Sequence, residues 1–337
     1  SEMQMSGIER AAVIDVHAHV VLAQTMGAAG RYGPELGKMP DGTPRFRVGD
    51  YQLEGVRYEG SPFMDVGLRI RRMADAGIDF QLLSPNPLTY FHHVEASAAI
   101  SFCRTHNDTV ARIVGQYPDK IGAFAAMPIQ DVGAACEELS RAVELGLYGP
   151  YMGTDTVRSL SDPQMDRFYE HCVKLNVPLF LHPAPAGIDG PAGDANLKQY
   201  DLDVVVGFAA QEAIAVATLI YGEVLQRHPD LDICLSHGGG STALVIGRMA
   251  KAGIKRPWAP AYLHEDGAFE AEFAKLWFDN HLNCDASLDL LISIVGTQHL
   301  VYGTNFVGWD APDADAGHVP PAYLADNARR LLRVGPA

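Results

Sequence analysis

Eight apolar, β-like runs alternating with segments of helical spacing predict an α/β fold, a closed (β/α)8 TIM barrel, and three observations carry that expectation. The runs fall at 13–20, 79–83, 121–127, 147–153, 177–182, 232–237, 276–280 and 299–303. A chain of 337 residues suits a barrel, which typically needs ~250 residues or more. An open doubly wound sheet would bring a glycine-rich phosphate turn after an early strand, and none is present. The expected layout is a single domain over 11–337, with residues 21–62 as a loop excursion.

Each element has a local reason. The excursion is rich in Gly, Pro, Arg and Tyr without a sustained period, so it reads as a loop over one end of the fold. A helix is expected at 64–76 with Gly77 as its stop, and Pro85 and Pro87 end the second strand. Further helices follow at 96–117 before Pro118, at 132–145 closed by Gly146, and at 161–175 opened by Ser161, Asp162 and Pro163. A long one is expected at 203–227. Its apolar stretch 204–220 is interrupted by Gln211 and Glu212 and reads as a packed helix rather than a membrane span.

Composition excludes some classes of partner. Lys and Arg total 26 against 41 Asp and Glu, and the formal charge of −15 argues against nucleic acid or an anionic membrane. Five scattered cysteines with no CxxC pair suit a reducing compartment. No cationic segment followed by an apolar one opens the sequence, so a cytoplasmic protein is expected.

Chemistry should sit at the C-terminal ends of barrel strands, and the histidines fall there. His17 and His19 lie two residues apart on the first strand, so period-two alternation turns both to one face, with Asp15 sharing their parity. His182 ends the fifth strand and His237 the sixth, while Asn305 and Asp310 follow the eighth. Neutral imidazoles converging on one mouth would bind a divalent metal and lower the pKa of bound water. His92 and His93 after the second strand could line a pocket or merely pack the loop. Trp258 and Trp309 could stack on a flat substrate or belong to the core. His106, His171 and His228 lie on helices or their ends and read as structural. No GxSxG elbow or cysteine nucleophile motif is present.

The ordered set Asp15-Val16-His17-Ala18-His19, 77–85 (GIDFQLLSP), Leu181-His182-Pro183, 235–240 (LSHGGG), Gly247-Arg248 and 302–306 (YGTNF) resembles the amidohydrolase superfamily. The closer likeness is to its branch containing aminocarboxymuconate-semialdehyde decarboxylase, and it spans nearly the whole chain. The resemblance implies a barrel of the metal-dependent hydrolase type. His17, His19 and His182 would be metal ligands, with Asn305 at the fourth ligand position. His237 would activate water or orient substrate, and Arg248 would hold a substrate carboxylate across a homodimer interface. No lysine occurs in 147–156, which implies one metal ion, Zn2+ or alternatively Mn2+, rather than two. His92 and Trp309 are further candidates for substrate contact.

The implied activity is a carboxy-lyase, a non-oxidative decarboxylase of a small unsaturated or aromatic carboxylic acid. The alternative is a hydrolase or hydratase on the same scaffold. The departure is Asn305, where the family carries an acidic residue, because an amide brings no charge and cannot act as a general base. Either His237 acts alone, or Asp310 takes over, or this copy is a disarmed or purely binding protein.

Overall fold

The computed structural model describes residues 4–313 and 319–335. The first barrel strand is β1 (Ile14–Val20). An excursion follows that carries β2 (Glu35–Lys38), β3 (Pro44–Val48) and β4 (Tyr51–Glu54). The remaining barrel strands are β5 (Phe80–Pro85), β6 (Ile121–Ala123), β7 (Ala125–Ala126), β8 (Pro150–Gly153), β9 (Leu179–His182), β10 (Ile233–Leu235), β11 (Trp277–Asp279) and β12 (Leu300–Val301). All barrel pairings are parallel, in the orders β1-β5-β6 and β7-β8-β9-β10-β11-β12. Two bonds join these ladders. Phe124 N donates to Leu83 O at 2.9 Å, and Val16 N donates to Tyr302 O at 2.9 Å. With β6 and β7 as one stave broken at Phe124, the strands close into an eight-stave (β/α)8 barrel.

Strand alternation divides the apolar residues between two cores. Leu179 and Leu181 join the shell that includes Leu139, Phe168, Val216 and Leu219 from the helices, whereas Phe180 joins the cluster containing Phe124 and Tyr151. Phe124 and Phe180 have ring centroids 4.1 Å apart. Packed aromatics of this kind fill a barrel and leave chemistry to its mouth.

Two elements differ from the sequence expectation. The excursion is an antiparallel three-stranded sheet, its register set by Leu36 opposite Phe46 and Phe46 opposite Leu53. The run 44–48 (PRFRV) alternates after all. Phe46 and Val48 are buried, while Arg45 and Arg47 reach Glu35 at 2.6 and 3.0 Å. The expected helix 203–227 is three pieces, Leu202–Val205, Gly207–Tyr221 and Val224–Arg227. The second break falls at Glu223, which is left-handed with φ 60°, just after Gly222, where only glycine fits because a Cβ would meet Ser161 Cβ at 2.2 Å. The stretch Leu202–Tyr221 is long and apolar enough to cross a membrane by length and composition, yet Val216, Leu219 and Ile220 are core residues.

Candidate metal centre

β1 is buried along its whole length and delivers two histidines to the mouth of the barrel. Its register against β5 shifts between Asp15 and Ala18, so the simple parity that grouped Asp15 with the histidines fails. Asp15 reaches no histidine ring. Its carboxylate accepts from Gln81 Nε2 (2.9 Å), Thr304 Oγ1 (2.7 Å), Thr304 N (3.1 Å) and His17 N (3.0 Å). Burial pushes its pKa up to about 6 against the four donated bonds. Arg69, fully buried, donates to Gln81 Oε1 at 2.8 Å and to the His19 carbonyl at 2.6 Å, which ties the helix Val66–Asp75 to the same hub.

His17, His182 and His237 bring their ring nitrogens within 4.8 Å of one another. The ring of His19 lies beside them, its centroid 4.6 Å from His182 and 5.2 Å from His17. The decisive feature is how each ring is held. His17 Nδ1 meets Asp279 Oδ2 at 2.8 Å, His19 Nδ1 meets Pro85 O at 3.1 Å, His182 Nδ1 meets Pro183 O at 2.6 Å, and His237 Nδ1 meets both Glu212 oxygens at 3.1 Å. A ring nitrogen facing a carbonyl or carboxylate must carry the proton, so in the neutral ring Nε2 keeps its lone pair. His17 Nε2 is buried with no hydrogen-bond partner. The rings of His17, His19 and His182, neutral and with Nδ1 so occupied, leave Nε2 bare and fit a divalent metal, and a carboxylate behind a ligating histidine is the usual outer support.

The surroundings separate one ring from the other three. Burial holds His17 and His182 well below the ordinary histidine value and His19 down to about 3, keeping all three neutral. Burial also pulls His237 down, but the carboxylates of Glu212, Asp279 and Asp310 outweigh it and raise it to about 9. The backbone at His237 is left-handed (φ 49°), and Gly238, Gly239 and Gly240 continue with positive φ. A Cβ at Gly238 would meet Leu282 Cδ1 at 2.7 Å, and one at Gly240 would meet the Ala209 carbonyl oxygen at 2.5 Å. The three glycines after His237 therefore let the chain turn tightly enough to aim that ring. Gly303 acts similarly, since a Cβ there would meet His17 Cβ at 2.7 Å.

The mouth opens into a cavity of about 620 Å³ bounded by His19, His182, His237, His281, Asn305 and Asp310 at its polar end. Asn305 does not turn its amide nitrogen toward the histidines. It donates to Asp310 Oδ1 at 2.6 Å, and His281 Nε2 stands 3.1 Å from Asp310 Oδ2. Asp310 is thus at the cavity, held well below the usual carboxylate range because bonds from His281 and Asn305 outweigh the effect of burial.

Other candidates fall elsewhere. Trp309 lines the cavity at its lip. His92 is not among the residues lining it: the ring is buried, stacked on Tyr90 at 5.6 Å, and accepts from Gly153 N at 2.9 Å. Arg248 is exposed on the helix Thr242–Lys255 and is not among the residues lining the cavity of its own chain. Trp258 packs against Tyr221 with centroids 4.8 Å apart, away from the cavity. Sequence reasoning missed Glu212, Asp279 and His281. For Glu212 a signal existed, since a carboxylate inside the most apolar helix must find a partner.

An eight-stave barrel with histidines gathered at the C-terminal mouth defines the class of metal-site α/β barrels. The chain belongs to the amidohydrolase family, whose profile matches residues 14–334. It is 29% identical over 244 residues to 2-amino-3-carboxymuconate-6-semialdehyde decarboxylase of Dictyostelium discoideum, across 72% of this chain and 66% of that protein, just under two thirds of its length. It is 31% identical over 223 residues to gamma-resorcylate decarboxylase of a Rhizobium species, across 63% of this chain and 67% of that one. Its fold is similar to that of 5-carboxyvanillate decarboxylase from Novosphingobium aromaticivorans complexed with manganese and 4-hydroxy-3-methoxy-5-nitrobenzoic acid, with a TM-score of 0.76, 18% identity and 98% of each chain covered.

Proposed function

We propose that this protein is a metal-dependent, non-oxidative decarboxylase of a small aromatic or unsaturated carboxylic acid. The observation that carries the reading is the set of four neighbouring histidines, each anchored through Nδ1, with the ring nitrogens of His17, His182 and His237 within 4.8 Å of one another. His17, His19 and His182, held neutral, would hold one divalent ion, Zn2+ or Mn2+, with Asn305 or Asp310 beside it. Such an ion supplies Lewis-acid charge that polarises a bound carboxylate or hydroxyl. The relatives named as decarboxylases support the same reading.

The residues of the chain do the rest. Glu212, buried beneath His237, fixes that ring through Nδ1 and favours its protonated form. His237 therefore holds a proton at Nε2 and delivers it to the carbon that loses its carboxyl group. The pair of the breaking C–C bond ends in the new C–H bond, and CO2 leaves.

A homodimer belongs to the same proposal. On the outer face of two neighbouring helices Ile214 is 65% and Leu244 77% exposed, and Arg248 lies one turn beyond Leu244. A second copy seated there would cover this apolar surface and bring Arg248 to a substrate carboxylate. A cytoplasmic location suits five cysteines that are all unpaired, four of them buried.

The test is CO2 release from carboxyl-labelled 2,6-dihydroxybenzoate and related acids by the metal-loaded protein, read by headspace mass spectrometry. Labelled CO2 together with the protonated product is expected. Addition of water to the substrate without CO2 would replace this reading with the hydratase or hydrolase one.

A further inference from the structure

Beyond its histidine floor the cavity changes character. Its apolar lining takes Tyr51, Leu53 and Phe63 from the excursion sheet and the segment after it, and Val204 and Val205 from the segment 202–206. At the lip Val205 is 50% and Trp309 72% exposed, although both are large apolar side chains. The charged residues lining the outer part are Asp201 and Asp203, and no Lys or Arg is among the described lining residues. Lys198, 3.7 Å from Asp203, does not line the cavity. Among the lining residues of its own chain, therefore, an anionic group finds its partners at the histidine end, where the partner's Arg248 would also reach it, while the outer part offers apolar surface flanked by carboxylates. A volume of about 620 Å³ suits a drug-sized ligand, and a bare dihydroxybenzoate would leave most of it to water.

We infer that the substrate is an aromatic or unsaturated monocarboxylic acid with an apolar tail, its carboxylate at the histidines and its tail running between the excursion sheet and Val205 to Trp309. This rests on the decarboxylase reading for the head group only. The tail is recognised by burial, and a second carboxylate in its place meets Asp201 and Asp203 instead of a cation.

Isothermal titration of the manganese-loaded protein with 2,6-dihydroxybenzoate, its 4-pentyl derivative and its 4-carboxy derivative tests the inference without relying on turnover. Each fully buried methylene is worth about fourfold in affinity. The pentyl acid is expected to bind at least about tenfold tighter than the parent and the carboxy acid more weakly. In Val205→Asp and Trp309→Ala, both at exposed positions that tolerate substitution, the ratio of pentyl to parent affinity is expected to fall toward one. Equal affinities across the series, tighter binding of the carboxy acid, or a pentyl preference untouched by both variants would overturn it. Tighter pentyl binding without CO2 from any acid would sink the decarboxylase reading alone, and CO2 release with flat affinities would sink the tail alone.

Discussion

A His237→Ala variant is expected to lose about a hundred- to ten-thousandfold in kcat for decarboxylation, the range typical of a positioned proton carrier. His237 is the ring whose Nδ1 rests on a buried carboxylate, Glu212, at 3.1 Å from both oxygens, and that carboxylate is itself held by Ser236 Oγ at 2.7 Å. Pairing of this kind keeps a second proton, at Nε2, on this imidazole while the three neighbouring rings stay neutral with one proton each. If His237 serves the proton, the variant keeps its metal while kcat falls. Loss of the metal together with activity would make it a ligand instead. Glu212→Gln is expected to lower kcat in the same direction but less, because the ring stays oriented and only the charge beneath it is gone.

The second large effect is on stability. Asp15→Ala is expected to lower the unfolding free energy by about 4 kcal/mol, measured by urea unfolding, because it strands four buried donors that cost ~1–3 kcal/mol each before the protein relaxes. Those donors belong to β1, β5 and the segment after β12, so the hub ties three staves together at the seam where the barrel closes. Asp15→Asn keeps the shape and should cost less. The carboxyl of Asp15 has a higher pKa in the folded protein than in the unfolded chain, about 6 against 3.8. Its contribution to stability is therefore complete below about pH 4 and declines as pH rises through about 6. Asp15→Asn should lack that decline.

Much of this was legible before the structure. The alternation of eight apolar runs with helical segments specified the barrel, and the strand-end rule put His17, His19, His182 and His237 at one mouth because four different strand ends carried them. What escaped was whatever depends on distant chain segments meeting. Asp279 supports His17 across 262 residues of sequence, and no local pattern marks it. Asp15 was assigned by strand parity, which a one-residue irregularity in β1 undoes. The excursion hid its sheet because its strands are only four or five residues long: 44–48 and 51–54 alternate, while 35–38 (ELGK) does not. His92, a polar residue in a plausible loop, is buried beside Tyr90 and takes a bond from Gly153 N, a placement no local pattern marks.

The measurement that bears most directly on the central claim is metal content by plasma mass spectrometry, after chelation and reloading with Mn2+ or Zn2+, for the parent protein beside His17→Ala. About one equivalent per chain is expected in the parent and less than about a tenth in the variant, since the lone pair of His17 Nε2 is buried with no hydrogen-bond partner. A parent protein that takes up neither ion, or a His17→Ala variant that keeps the full equivalent, would contradict it.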